Sequence, residues 1–177
     1  IRKAQRALTA DAAGSAWSHA FLIGEKRSDG HWWVLESDLD VRHKQVRLGA
    51  QENRLAKYFD ADAWPNLAVL DFGLDVEQST RVLASALDLL ANATRYSLRE
   101  LVGTLLALAR PDLRTRENLL AREGSLYCSA FVQHCYASIG IEFVPGLSAK
   151  NTTPHDIAST ALPHRVERLL RQSGASR

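Results

Sequence analysis

The sequence is poor in cysteine, since its 177 residues include only Cys128 and Cys135. These two lie seven positions apart on one predicted helix, so about two turns, roughly 10 Å, separate them, which is beyond disulfide reach. We therefore predict two free thiols and exclude a disulfide framework. A metal site built on this pair is not expected either, because zinc sites use tighter spacings and further ligands.

Long apolar runs and strong charge are also missing. No stretch of about 18 apolar residues occurs, so no transmembrane helix is predicted, which leaves peripheral contact with a membrane open. No signal peptide is visible after Ile1, which says little about a precursor. The formal net charge is +2. Because no basic patch is interleaved with aromatic residues, nucleic-acid binding is not expected.

The length fits a single domain over residues 1–177, and the order of its elements predicts an α+β fold. Strand signals come first, and the first three predict an antiparallel meander packed against helices. We expect strands at 17–23, 31–36, 41–48, 66–72 and 141–144. We expect helices at 2–13, 75–93, 96–109, 115–121, 128–139 and 164–172, and helical turns within 51–62 and at 154–161. Asp75 is the predicted N-cap of the second helix, with Gln78 three residues on. Residues 165–177 could also form a loose C-terminal helix or tail.

The helix that begins near Cys128 carries the strongest chemical signal. A thiol at a helix start faces the positive end of the helix dipole, which favours the thiolate, and the thiolate is the nucleophilic form. Most free cysteines are buried small hydrophobes, and Cys135, in the helix interior, fits that description better. Cys128 is therefore the candidate nucleophile.

A catalytic cysteine needs a base, and His19 is the histidine best placed to supply it. It lies in a predicted strand among Trp17, Phe21 and Ile23, on the face expected to pack against helices. On position alone, a core histidine with satisfied hydrogen bonds is slightly favoured over a catalytic one. His134, by contrast, is expected to face solvent or the side of its helix.

A third group should orient the histidine, and strand pairing proposes an acid for it. If a two-residue turn joins the first two strands, Glu36, Asp38 and Asp40 share a sheet face with His19. A turn at residues 27–28 pairs His19 with Glu36, whereas a turn at 29–30 pairs it with Asp40. A three-residue loop would reverse this parity. Glu36 could also be an ordinary acid at an exposed strand end.

These residues resemble a known family. Tyr127-Cys128-Ser129-Ala130-Phe131-Val132 late in the chain, Ser18-His19-Ala20-Phe21-Leu22-Ile23-Gly24 early, and Val34-Leu35-Glu36 on the next strand resemble the circularly permuted NlpC-type papain-like hydrolases. This group includes the bacterial YiiX-like proteins and, more distantly, the lecithin:retinol acyltransferase group. Its order of histidine, polar residue and cysteine is the order found here.

The resemblance implies a permuted papain-like fold and a Cys-His-Glu triad. Cys128 would be the nucleophile, His19 the base and Glu36 its orienting partner, with Asp38 or Asp40 as alternatives to Glu36. Tyr127 would support the oxyanion hole beside the Cys128 backbone N–H. No cofactor and no metal are expected. A bacterial envelope or secreted location follows from the resemblance alone.

The expected activity is that of a thiol hydrolase or acyltransferase working through an acyl-enzyme. The substrate could be a cell-wall peptide amide or a lipid acyl group, and the apolar segment 98–108 is a candidate acyl-binding wall, although its leucines also fit a core stripe. The alternative is a non-catalytic binding module that keeps the fold. The sequence leaves the choice between hydrolysis and transfer, the compartment and the oligomeric state open.

Overall fold

The computed structural model describes residues 17–42, 45–92 and 128–170, and it has the α+β architecture that the sequence predicts. The expected helices at 2–13, 96–109 and 115–121, the segment 98–108 and Tyr127 lie outside these residues. In the described residues, no helix is long and apolar enough to cross a membrane. The single-domain organisation stays a prediction.

Three strands form the predicted antiparallel meander, in the order β1-β2-β3. They cover Leu22–Lys26 (β1), Trp32–Arg42 (β2) and Gln45–Arg54 (β3). β2 continues through Val41 and Arg42, which were predicted to begin the third strand, so β3 starts later than expected, at Gln45, and runs on to Arg54. The first starts five residues later than predicted, because residues 17–21 leave the ladder and line a cavity.

The pairing of β1 with β2 explains which side chains share a face. Leu22 pairs with Leu35, whereas Lys26 pairs with Trp32, so the register shifts by one residue within β1. The connection spans the five residues 27–31, and this odd number would by itself place His19 and Glu36 on opposite faces of the sheet. A β-bulge between Ile23 and Lys26 adds one residue to β1 and returns them to the same face. His19 and Glu36 therefore project to the same side, although neither two-residue turn considered from the sequence forms.

After β3 the chain makes a 3₁₀ turn, Leu55–Phe59, which confirms the helical turn predicted within residues 51–62. It brings Lys57 and Tyr58 back over the sheet face that carries Glu36, since both bond to that residue. Tyr58 is 1 % exposed.

Three described helices follow in the chain: Val76–Ala91 (α1), Cys128–Ala137 (α2) and Pro154–Ala158 (α3). The predicted cap of α1 is confirmed, because Asp75 accepts from the Gln78 backbone and the Gln78 side chain accepts from the Asp75 backbone. A second capping box, Thr153 with Asp156, starts α3. A second short 3₁₀ turn, Ala149–Asn151, lies between α2 and α3.

A two-stranded sheet corrects two expectations for the second half of the chain. Asn66–Asp71 (β4) pairs antiparallel with Arg165–Leu170 (β5), so the expected terminal helix or loose tail is wrong for residues 165–170. Backbone pairing with β4 outweighs the helical preference that the sequence of β5 suggests locally. Residues 141–144 are not a strand, because the buried Gln133 side chain holds this loop by bonding the Ile141 carbonyl and the Phe143 N–H.

The core lies between the meander and the helices. Its members are fully or nearly fully buried apolar side chains from both halves of the chain: Leu22, Leu35, Val82, Ala86, Phe131, Val132, Cys135, Tyr136, Phe143 and Ile157. Burying this much apolar surface is the main force that holds α2 against the sheet.

Candidate active site

His19 lies in the extended segment just before β1, and its ring reaches the carboxylate of Glu36 on β2. The distance from His19 Nε2 to Glu36 Oε2 is 2.6 Å. The histidine side chain is 11 % exposed and the glutamate is fully buried. Phe21, Tyr58 and Trp64 surround the imidazole, with ring centroids 5.8–6.2 Å from it. These contacts limit the orientations that the ring can take.

Glu36 receives hydrogen bonds from four different side chains. Besides His19, the amide of Asn53 donates to Oε1 at 2.6 Å and the ammonium of Lys57 donates to the same oxygen at 2.9 Å. The Tyr58 hydroxyl donates to Oε2. A buried carboxylate with this many donors is satisfied in its charged form.

The pKa of Glu36 shows the outcome of these opposing influences. Burial favours the neutral acid, but the hydrogen bonds from His19, Tyr58 and Lys57 and the charge of the imidazolium outweigh it and lower the pKa to about 2. Burial and the neighbouring Glu36 charge raise the pKa of Tyr58 far above its usual value, so its hydroxyl keeps the proton that it donates.

His19 has a second partner, the thiol side chain of Cys128. Burial opposes the imidazolium, yet hydrogen bonds with Cys128 and Glu36, together with their charges, raise the pKa of His19 to about 10. Glu36 engages Nε2, so Nδ1 is the remaining nitrogen of the ring. The imidazole thus interacts with a carboxylate on β2 and with a thiol on α2.

Helix α2 holds Cys128 at the first residue of its described range. The next residue, Ser129, is buried and donates to the Thr152 carbonyl at 2.6 Å, and Phe131 is fully buried in the core. These anchors fix the end of the helix that carries the thiol, while Cys128 itself stays partly accessible.

The second cysteine is different, as its place in the helix interior predicted. Cys135 is fully buried, and burial raises its pKa to about 12 despite a hydrogen bond with Ser85. It is a core side chain. His134 is exposed, as expected for a position off the buried stripe.

The structure thus brings together Cys128, His19 and Glu36. Asp38, the first alternative acid, accepts from Lys57 at 2.8 Å and is not the group on the histidine Nε2. The side chain of Asp40 and the whole of Tyr127 lie outside the described residues.

Sequence reasoning missed Asn53, Lys57 and Tyr58. Asn53 had a usable signal, because β2 and β3 are joined by two residues, and that register pairs Val34 with Asn53 on the Glu36 face. Lys57 and Tyr58 follow the strand in a 3₁₀ turn, where period-2 counting no longer applies. Their position beside Glu36 becomes visible only in the folded structure.

Among the described residues, His19, Glu36 and Asp38 offer ligand atoms within 4.8 Å of one another, which is a spacing that a metal ion could use. The ammonium of Lys57, however, bridges Glu36 and Asp38 and supplies the positive charge there. A metal ion would have to displace a largely buried lysine that is paired with both carboxylates. The donor set therefore fits an internal ion-pair network better than a metal centre.

No protein-family model, no curated protein and no solved structure matches the chain. Any assignment of activity must therefore start from the arrangement of Cys128, His19 and Glu36. This arrangement combines a thiol, an imidazole and a carboxylate.

Proposed function

We propose that the protein is a cysteine-dependent acyl hydrolase or acyltransferase with a permuted papain-like fold. Cys128 is the nucleophile, His19 the proton carrier and Glu36 the positioning acid. The observation that supports the proposal is the hydrogen bond between His19 Nε2 and Glu36, with the Cys128 side chain as a second partner of the same imidazole. Each element of the site comes from a different part of the chain, and the core holds them together.

The chemistry follows from this order of contacts. His19, whose pKa is raised to about 10, already holds the proton from the Cys128 thiol, and the sulfur attacks the substrate carbonyl carbon, so a C–S bond forms and the π electrons move to oxygen. As the tetrahedral intermediate collapses, the bond to the leaving nitrogen or oxygen breaks, and His19 donates its proton to that atom. Water or another acceptor then gives a proton to His19, attacks the thioester and releases the sulfur.

Glu36 acts through the histidine. Its charge stabilises the imidazolium that forms during each half of the reaction, and the hydrogen bond to Nε2 keeps Nδ1 turned towards the sulfur. The developing oxyanion needs donors as well, and the Cys128 backbone N–H with Tyr127 would supply them.

Alkylation with iodoacetamide tests the nucleophile directly. At pH 7, Cys128 should be labelled at least about 100-fold faster than Cys135, because Cys135 is buried and keeps its proton. Peptide mapping by mass spectrometry reports both sites in one sample. The His19→Ala variant should slow labelling at Cys128 and leave Cys135 unchanged.

A thioester substrate then tests the acyl-enzyme. Intact mass spectrometry after rapid acid quench should show one acyl adduct on the wild type and none on Cys128→Ala, with Cys135→Ala as the matched control that retains it. Equal labelling of both cysteines, with no adduct from any acyl donor, would favour the non-catalytic binding module instead.

A further inference from the structure

A cavity of 260 Å³ opens beside the candidate active site. His19 lines it, as does Val132, which lies one helical turn after Cys128 on the same side of α2. The cavity thus borders the imidazole and one residue of the helix that holds the thiol, whereas Cys128 itself is not among the lining residues. Because Cys128 interacts with His19, a group attached to a carbonyl at Cys128 would lie near this space.

The walls of the cavity are apolar and rich in aromatic rings. They include Trp17, Phe21, Trp64, Leu67 and Phe143. None of the described lining residues is an aspartate, glutamate, lysine or arginine. The lining also includes the polar side chains of Ser18, His19, Tyr58 and Asn66, and Glu36 and Cys128 already engage His19. A charged group would therefore lose much of its hydration there, and the lining offers it no aspartate, glutamate, lysine or arginine as a counter-charge.

Local contacts hold two of these walls in place. The Phe143 backbone is bonded on both sides, since Gln133 accepts from its N–H at 2.9 Å and Thr160 donates to its carbonyl at 2.7 Å. The Phe21 and Tyr58 rings stack with centroids 4.3 Å apart, and the Trp64 and Tyr58 rings form a T-shaped pair with centroids 4.8 Å apart. The cavity is thus built into the fold.

Its size limits the occupant. Pockets for drug-sized ligands measure about 300–1,000 Å³, so 260 Å³ has room for one compact group. We infer that this cavity is the acyl-side subsite, and that it binds one uncharged, compact apolar group, an aromatic ring or a branched aliphatic chain. This inference rests on the proposed function. It excludes from the subsite both a carboxylate-bearing peptide side chain and a fully buried long acyl chain.

A series of N-acetylcysteamine thioesters tests the inference with a constant, polar leaving group. The acyl groups are acetyl, isovaleryl, phenylacetyl, succinyl and dodecanoyl, and product release is followed by chromatography. We expect kcat/KM for phenylacetyl and isovaleryl to exceed that for acetyl by about 10-fold or more, because each methylene in a fitting apolar pocket is worth about 10- to 200-fold. A succinyl or dodecanoyl group as the best substrate would overturn the inference.

Variants of the wall tie the selectivity to the cavity. Ala158→Phe places a ring in the space, so the phenylacetyl to acetyl ratio of kcat/KM should fall at least about 10-fold. Ala84→Phe adds the same ring at an exposed position of α1 and should leave the ratio unchanged. If Ala158→Phe does not fold, Leu67→Ala enlarges the space instead and should shift the preference towards larger apolar acyl groups.

Binding without turnover separates the two proposals. Phenylacetamide should change the tryptophan fluorescence of the Cys128→Ala variant saturably, since Trp17 and Trp64 line the cavity, and the double variant with Ala158→Phe should not respond. If phenylacetamide binds but no acyl-enzyme forms with any thioester, the cavity stands and the hydrolase proposal fails. If acyl-enzyme forms without selectivity and phenylacetamide does not bind, the hydrolase proposal stands and the cavity inference fails. If phenylacetamide does not bind and no acyl-enzyme forms, both the cavity inference and the hydrolase proposal fail.

Discussion

Glu36 shows at the scale of one residue how a buried charge can be kept. It has no solvent exposure, and hydrogen bonds from His19, Asn53, Lys57 and Tyr58 replace its hydration. Removing a single partner from such a network costs more than the bond itself, because the charge left behind is less well compensated.

Replacing Glu36 by glutamine should therefore lower kcat/KM by at least about 100-fold, since the imidazolium loses the charge that stabilises it. A thioester of a compact acyl group is the suitable assay. Glu52→Gln is the matched control, because Glu52 lies on the adjacent strand in an ion pair with Arg27 at 2.5 Å, away from the histidine. Equal activities of the two variants would mean that Glu36 does not position His19.

Glu36 should also make stability depend on pH. The folded state lowers its pKa from 4.5 to about 2, so the folded protein binds its proton less readily than the unfolded chain does. The stabilisation, about 3 kcal/mol, is complete above pH 4.5 and disappears as the pH falls towards 2.

Urea unfolding at pH 7 and pH 3 measures this effect. The difference in unfolding free energy between the wild type and Glu36→Gln should be smaller at pH 3. An unchanged difference would show that the carboxylate is not held in its charged form by folding.

At the scale of elements, the capping box of α1, formed by Asp75 and Gln78, also affects the packing of α2. Val82 and Ala86 of this helix pack in the same core as Phe131 and Cys135 of α2. Stabilising the start of α1 therefore supports the surface against which the thiol-bearing helix rests.

Asp75→Ala should lower the unfolding free energy by about 1 kcal/mol, because the Gln78 backbone N–H loses its acceptor. Asp88→Ala, at an exposed position later in α1, should stay within about 0.5 kcal/mol of the wild type. Urea denaturation measures both. Similar losses in the two variants would show that the loss at Asp75 does not come from the cap.

The elements that sequence reasoning found are those with local signals. The cap at Asp75 depends on residues three apart, and the shared face of His19 and Glu36 depends on strand parity. The parity argument succeeded although the expected turn does not form, because a five-residue connection and a one-residue bulge compensate each other. Lys57 and Tyr58 carry no comparable pattern, since a 3₁₀ turn interrupts the strand period.

At the scale of the whole molecule, the pairing of β4 with β5 joins residues about 100 positions apart. No local sequence pattern indicates a pairing between residues so far apart, so Arg165–Leu170 was expected to be helical. An ion pair between Arg165 and Asp71, at 3.3 Å, lies at one end of the ladder, where its exposure makes its contribution small.

Removing β5 should destabilise the protein by a few kcal/mol, since β4 loses its backbone hydrogen bonds with this strand and each contributes about 0.5–1.5 kcal/mol. A chain ending at His164 should therefore melt at a lower temperature than one ending at Leu170, and calorimetry compares the two. Because β4 also lines the cavity, phenylacetamide binding should weaken in parallel. Identical melting would make β5 dispensable for the fold.

The order of the site residues along the chain bears on how the protein is made. His19 and Glu36 are translated first, the groups that surround the carboxylate follow within about 20 residues of it, and the thiol comes last. A nascent chain can thus assemble the meander and its ion-pair network while the ribosome is still adding the segment that precedes α2. A partially synthesised chain contains the imidazole and the carboxylate long before it contains the thiol, so the reactivity proposed for Cys128 can arise only after the later helix has been made and has docked.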